Sequence, residues 1–427
     1  MTEYDRERAK TVLWLAQKIE SSLPEDTVMD RDNAKTLERI LRRFERAKQH
    51  DSIKIRADEE EEIFDMILDE IFGFGPLQKI LDDESVTEVM VNRADLTYVE
   101  RKGKLGVADE IQFVNDGHVE RVINKIIKPL GRYVDAKSPL VDARLPDGSR
   151  VNAMIGPVAI DGPNITIRKF SKNPFGIKDL INFGSMTDDM ALFLEACVVA
   201  KLNVIVAGGT GSGKTTLLNV LSSFIPADER IITIEDAAEL SLLQEHVVRL
   251  ETKKAIGPNS TEVSIRDLVR NALRMRPERI VVGECRGGEA LDMLQAMNTG
   301  QDGSLTTIHA NTPRDTISRL TTLVLMSGMS LPILVVLKQI ASAVDLIVQQ
   351  ARLRDGSRKI INITEVADLE GDMITLQDVF SFVEKPGEDG KVAGGFEPSG
   401  RRPLCEERLK SYGVTFPAKM FMPPSRL

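Results

Sequence analysis

The chain has 427 residues, 42% of them hydrophobic and 28% charged, the balance of a soluble globular protein long enough for two to four folded units. Its 56 Lys and Arg against 65 Asp and Glu give a net charge of -9, which counts against a protein that coats nucleic acid non-specifically. Three scattered cysteines, Cys197, Cys285 and Cys405, form neither a disulfide framework nor a paired metal motif and fit a reducing cytoplasm. The most apolar stretch, Leu331 to Val348, contains Lys338 and Asp345, so no membrane span is expected, and the charged start MTEYDRERAK does not read as a signal peptide.

To about Phe74 the chain reads as helix, dense in Arg, Lys and Glu, with Pro24 as the main breaker. Glu59 to Phe72 places Ile63, Met66, Ile67, Leu68 and Ile71 on one face, behind a solvated acidic start at Asp58 to Glu62. Gly73 to Pro76 (GFGP) ends that pattern. From Leu77 to about Lys172 the short β-branched runs EVMVN, TYVER, SRVNAMI and NITIRKF surround one helical stretch, Asp116 to Lys128, which predicts a small α+β domain. The link SKNPFGIKDL marks a boundary. Beyond Gly176 the strands NVIVA, RIITIE, HVVRLE, RIVVGE, SLTTIH and VDLIVQQ alternate with helical stretches, the signature of a mostly parallel, doubly wound sheet. After about Leu376 the pattern weakens into a loop, KPGEDGKVAGG, and a short helical tail, EERLKSYG. The expected organisation is a helical region over 1–75, an α+β domain over 76–172 and an α/β domain with its tail over 173–427.

Between the strand NVIVA and the helical run LLNVLSSF lies GGTGSGKTT: Gly208, Gly209, Thr210, Gly211, Ser212, Gly213, Lys214, Thr215 and Thr216. Gly208, Gly213, Lys214 and Thr215 fit GxxxxGK[ST] in the strand–loop–helix setting that a phosphate-binding loop requires. Glycines let successive N–H groups turn toward phosphate, and the following helix adds its positive dipole end. Lys214 is placed to reach the β and γ phosphates, and the Thr215 hydroxyl to enter the shell of a Mg²⁺ ion. ATP with Mg²⁺ is the expected ligand.

Two later strands end in acids. RIITIEDAAEL presents Glu235 and Asp236, and RIVVGECRGG presents Glu284, at the strand ends where an open α/β sheet binds its ligand. The second strand carries Gly283 where an Asp usually holds the metal through water, so Glu284 is left to serve the metal, the attacking water, or both. His309 follows the strand SLTTIH at the same edge and suits a γ-phosphate sensor. His50, His118 and His246 have no partner motif and read as structural or solvated, and Cys285 reads as packing. SRVNAMI and NITIRKF form a hairpin whose antiparallel pairing brings Arg150 beside Arg168 at one edge, with Arg144 of DARLPDG as a third cation nearby. Arg274 and Arg276, before the strand RIVVGE, suit either nucleotide sensing, a bridge between subunits, or a helix C-terminus.

Taken together, GGTGSGKTT, ITIEDAAEL, RIVVGECRGGEA and TGQDGSLTTIHAN resemble the Walker A, Asp, Walker B and His boxes of the secretion-superfamily ATPases of type II and type IV secretion and type IV pili. Within them the chain is similar to the CpaF/TadA-type ATPases of tight-adherence (Flp) pili, a likeness that extends to GFGPLQKILDDESVTEVMVNRADLTYVERKGKL, RLPDGSRVNAMI and GRRPLCEERLKSYGVTFP. The resemblance implies an N-terminal helical bundle, a PAS-like α+β domain and a RecA-like ATPase domain, assembled as a homo-hexamer with ATP between the two larger domains. It implies phosphate and Mg²⁺ binding by Lys214 and Thr215, water activation by Glu235, a Walker B role for Glu284, and arginines of the small domain directed at the γ-phosphate. His309 matches the second histidine of the His box, whereas Gln301 stands where many relatives carry the first.

The implied activity is ATP hydrolysis that powers assembly, or also retraction, of a pilus or secretion of a related substrate. The implied setting is cytoplasmic, at the inner membrane through a platform protein. Two alternatives are a nucleic-acid translocase on the same core and a nucleotide-gated scaffold with little hydrolysis. The acidic balance, and aromatics at only 5%, count against the first. The non-standard Walker B strand leaves the second open.

Overall fold

Pro24 and the polar turn after it separate the first two helices of the computed structural model, α1 (Glu3–Ser22) and α2 (Ala34–Lys48). The structure describes residues 3–24, 26–49, 55–101, 103–170, 174–253, 261–385 and 392–423. His50, the first residues of the SKNPFGIKDL link and much of the KPGEDGKVAGG loop lie outside them. Two compact units emerge, Met1–Lys172 and Asn173–Leu427.

In the first unit, Asn33 caps α2 by accepting the Thr36 N–H at 3.2 Å. The third helix, α3 (Glu60–Phe72), opens on Glu60, Glu61 and Glu62, which its positive end favours, and stops at Gly73. Val12, Leu15 and Ile19 of α1, Ile40 and Phe44 of α2, and Ile63, Ile67, Leu68 and Ile71 of α3 bury one another. A fully buried aliphatic side chain of this kind contributes roughly 1.5–3 kcal/mol. After the short helix α4 (Gln78–Asp82) come β1 (Val86–Arg93), β2 (Leu96–Arg101), β3 (Lys104–Val107), α5 (Asp116–Ile127), β4 (Leu140–Arg144), β5 (Arg150–Met154) and β6 (Asn164–Arg168). They form an antiparallel sheet in the order β3-β2-β1-β6-β5-β4. Val89, Val91, Val151, Ala153, Ile165 and Ile167 bury one face with Val119, Val122, Ile123 and Ile126 of α5, and the alternate residues stay on the open face. His118 is structural: its Nε2 lies 2.9 Å from Glu70 Oε1 and its Nδ1 accepts the Val114 N–H, joining α5 to α3.

The second unit runs α6 (Ile177–Asn182), α7 (Asp188–Val199), β7 (Val204–Gly208), α8 (Lys214–Ser222), β8 (Ile231–Glu235), β9 (Val247–Glu251), α9 (Ile265–Ala272), β10 (Arg279–Val282), α10 (Glu289–Asn298), β11 (Leu305–Ile308), α11 (Pro313–Leu325), α12 (Ile333–Ala343) and β12 (Leu346–Arg352). It ends with β13 (Arg358–Glu370), β14 (Met373–Lys385), β15 (Ala393–Pro398) and α13 (Glu406–Ser411). The sheet order is β15-β14-β13-β12-β7-β11-β10-β8-β9, parallel from β12 to β9 and antiparallel beyond β12. Alternation in β7 divides the core. Val204 and Val206 face the cluster of α7 and α8, whereas Ile205 and Ala207 face that of α9 to α12.

Strand structure persists after Leu376, where the sequence pattern weakens. β14 continues to Lys385, and Ala393–Gly395, read as loop, pair with it in β15. The helical tail EERLKSYG corresponds to α13. It is pinned by Glu365, which accepts the Leu404 and Cys405 N–H groups at 2.8 and 2.9 Å, and by Arg408, which donates to Ala200 O and Lys201 O.

Candidate active site

Gly208 closes β7 and Lys214 opens α8, so the glycine-rich segment spans the C-terminal edge of the parallel sheet. Gly211 and Gly213 adopt φ of +69° and +95°, the left-handed turns that let the loop curl back on itself. The Lys214 ammonium is almost buried and donates to Gly209 O at 2.9 Å, so it lies over the loop it belongs to. Burial holds its pKa below the usual lysine value, with Glu284 opposing and Arg286 adding to that shift. A curled, glycine-lined loop with a nearly buried ammonium above it fits a polyphosphate. Thr215 and Thr216 occupy the first turn of α8, half-buried.

The acids stand along the same edge. Glu235 ends β8 and is 3% exposed. Its Oε2 accepts the Glu239 and Leu240 N–H groups at 2.7 and 3.0 Å, while Oε1, equally buried, has no hydrogen-bond partner. Burial raises its pKa against those two N–H groups. The departure at Gly283 has a steric cause: a Cβ there would lie 2.9 Å from Glu235 Cγ, inside any ordinary carbon–carbon contact. Glu235 thus fills the space that an aspartate at 283 would need.

Glu284 and His309 are brought together by the strands beneath them. Cys285 N–H donates to Thr307 O at 3.0 Å and the Thr307 hydroxyl donates to Gly283 O at 2.7 Å, which locks the ends of β10 and β11. His309 Nε2 then lies 2.9 Å from Glu284 Oε1, an electrostatic contact outside hydrogen-bond alignment. Arg286, two residues on, donates to Glu284 Oε2 at 2.6 Å and lies 3.9 Å from Asp236. Burial, then the cations Lys214, Arg286 and Arg319, hold the His309 pKa below its ordinary value against Glu284, so the imidazole is neutral near pH 7. Cys285 is packing, with burial pushing its thiol up to about 12.

Other sequence-selected residues fall elsewhere. Gln301 lies in the turn before β11 and His309 follows the strand, so the two positions of the His box lie beyond opposite ends of one four-residue strand, which itself spans roughly 13 Å. Arg274 and Arg276 are exposed at the N-terminal end of β10, the edge opposite the glycine-rich loop of this unit. Among the buried polar groups at that far edge is Arg279, which holds Glu229, Val198 O and Gly303 O.

In the first unit, Arg144 pairs with Arg150, Arg150 with Arg168, and Arg168 with Glu88. Directly opposed residues point to one face, so three guanidinium groups share a row on the open side of the sheet. Arg168 Nε is 3.5 Å from Glu88 Oε1, and Arg144 Nε donates to Gly148 O at 3.2 Å. Strand β4, which carries Arg144 into the row, was not among the predicted runs. Sequence reasoning also missed Arg286, though its place two residues after Glu284 is a usable signal. Arg358 and Gln350 beside the glycine-rich loop are too distant in the chain to be noticed.

Residues 70–377 match the family model described as Type II/IV secretion system protein. An uncharacterized protein of Methanocaldococcus jannaschii is 47% identical over 237 residues, 54% of this chain, and the chain spans only 33% of that relative's length. The type IV secretion system protein VirB11 of Bartonella henselae is 31% identical over 326 residues, 67% of this chain and 90% of that protein. The crystal structure of the pilus retraction motor PilT with bound ADP covers 70% of this chain and 80% of its own at 21% identity and a TM-score of 0.50, a likeness of fold alone. The chain belongs to the type II/IV secretion system protein family, and it is an ATPase.

Proposed function

We propose that the chain is the subunit of a hexameric ATP-driven motor that docks from the cytoplasm onto an inner-membrane platform protein and powers assembly of a tight-adherence (Flp-type) pilus, or export of a related substrate. The observation that carries the reading is the convergence of Lys214, Glu235, Glu284 and His309 on one edge of one sheet. In this reading the segment Gly208–Thr216 holds the phosphates and Lys214 neutralises charge developing between β and γ. Glu235 positions and deprotonates the attacking water. Its raised pKa brings it nearer neutrality, and its unpartnered Oε1 is a free acceptor. Glu284, steadied by Arg286, would hold the metal, and His309, whose protonation is disfavoured, would report the γ-phosphate. Mg²⁺, when bound with the nucleotide, supplies charge neutralisation, and Thr215 and Glu284 are the residues to hold it.

As the family resemblance implies, Arg144, Arg150 and Arg168 would act on the γ-phosphate in the assembled ring, and their place in one row of the first unit's sheet supports giving them a shared role. Among the described residues no helix is long and apolar enough to cross a membrane.

The test is ATP turnover per subunit against protein concentration, for wild type and for Arg150→Ala and Arg168→Ala variants shown to assemble and bind ATP. A steep rise with concentration, and a loss on the order of a thousandfold in each variant, is the expected result. Flat, weak turnover indifferent to both arginines would replace the motor by a nucleotide-gated scaffold.

A further inference from the structure

The sheet order β13-β12-β7-β11-β10-β8 lays side chains along the loop edge in a fixed sequence. His309, Glu284 and Glu235 stand on the β11, β10 and β8 side of the glycine-rich loop. On the other side stand Gln350, paired with Gly208 near the end of β12, and Arg358, the first residue of β13. Arg358 Nε donates to Gly211 O at 3.0 Å, on the exposed rim of the loop. Its Cδ and the Gln350 Nε2 close on the same point, 3.2 and 3.3 Å from where a Cβ on Gly213 would be. Gln350 is 2% exposed and its Oε1 has no hydrogen-bond partner. Among the described residues Arg358 forms no ion pair, and four of its five N–H donors are uncommitted.

A nucleotide held in this loop would have its α and β phosphates in the loop itself and its γ-phosphate at Lys214, toward the side of Glu284 and His309. The remainder, ribose and base, then leaves on the β12–β13 side. We propose that Arg358 binds the nucleoside moiety there, its guanidinium plane against the base and a terminal N–H toward the ribose, with Gln350 supporting the loop between them. This rests on the nucleotide-binding reading of Gly208–Thr216. Arginine suits the task because a planar, weakly hydrated guanidinium stacks on a base as an ammonium does not.

The experiment measures equilibrium binding of Mg·ADP and of Mg·pyrophosphate to the full chain, for wild type, Arg358→Ala, Arg358→Lys and Lys214→Ala. Pyrophosphate occupies the loop but has no nucleoside. The expected result is about a tenfold weaker Kd for ADP in both Arg358 variants, with pyrophosphate unchanged. Equal losses for both ligands would make Arg358 a support of the loop only, and unchanged ADP affinity would remove it from the site, so either overturns the proposal. Failure of wild type to bind ADP, or indifference to Lys214→Ala, would instead overturn the nucleotide site itself.

Discussion

Gly283 stands where a Walker B strand usually carries a metal-holding aspartate, and Glu235 occupies the space that a side chain there would need. Gly283→Ala adds one methyl whose carbon would sit 2.9 Å from Glu235 Cγ, so about half an ångström must be found to restore ordinary contact. Glu235 has little to give, since it is 3% exposed and its Oε2 is tied to the Glu239 and Leu240 N–H groups. Overpacking of this kind costs about 1–3 kcal/mol, and loss of a charged hydrogen bond on displacement adds about 1.5–3 kcal/mol. A unit of this size shifts its melting temperature by about 2–4 °C per kcal/mol. The assay is a double-mutant cycle by thermal or urea unfolding: wild type, Gly283→Ala, Glu235→Ala and the double variant. The new methyl should be costly beside Glu235 and nearly free beside Ala, a coupling of about 1–3 kcal/mol. Equal cost in both backgrounds would refute the steric account. Turnover in Gly283→Ala should fall as well, because the displaced carboxylate is the proposed base.

Glu284→Gln should keep ATP binding and lose turnover by about 10²–10⁴-fold, measured in single-turnover assays, and unchanged turnover would argue for a scaffold. Protonation of His309 is disfavoured in the folded unit, so its contribution to stability is complete above the ordinary histidine pKa and is lost as pH falls through the lowered value. Turnover followed from pH 8 downward should therefore show no limb from His309 until pH drops below the usual histidine range, and a limb above it that disappears in His309→Gln would contradict the assignment. Arg279→Ala leaves Glu229 with Lys201 alone, at 3.3 Å, and removes a donor from Val198 O and Gly303 O, and should cost about 3–5 kcal/mol by chemical unfolding. Gly303→Ala should be severe for a steric reason, since its Cβ would lie 2.0 Å from an Arg279 nitrogen at a φ of +79°.

The parallel strands were legible because burial on both faces demands near-continuous apolar runs, and β7, β8, β10 and β11 are buried at every position. Their C-terminal ends carry Glu235, Glu284 and His309 to one edge of the sheet. Elements with weaker burial did not announce themselves. β3 is exposed throughout, β15 begins with Ala393, Gly394 and Gly395, and β14 is buried at only three of its positions, so none carries a clean alternation. Those strands are held by their ladders and neighbours, which local composition does not report.

The arginine row shows what register adds to pattern. Pairing SRVNAMI with NITIRKF was enough to set Arg150 against Arg168, because a hairpin joined by one loop has few alignments open to it. Arg144 joins them only through β4, whose partner begins across the turn at Gly148, and a slip of one residue would turn its guanidinium to the buried face. Val141 and Ala143 forbid that slip, since they fill the core while Asp142 and Arg144 alternate outward. A cationic row on the open face is therefore a consequence of the apolar residues between the arginines. Substituting Ala143 by a polar residue should disturb the row without touching any arginine.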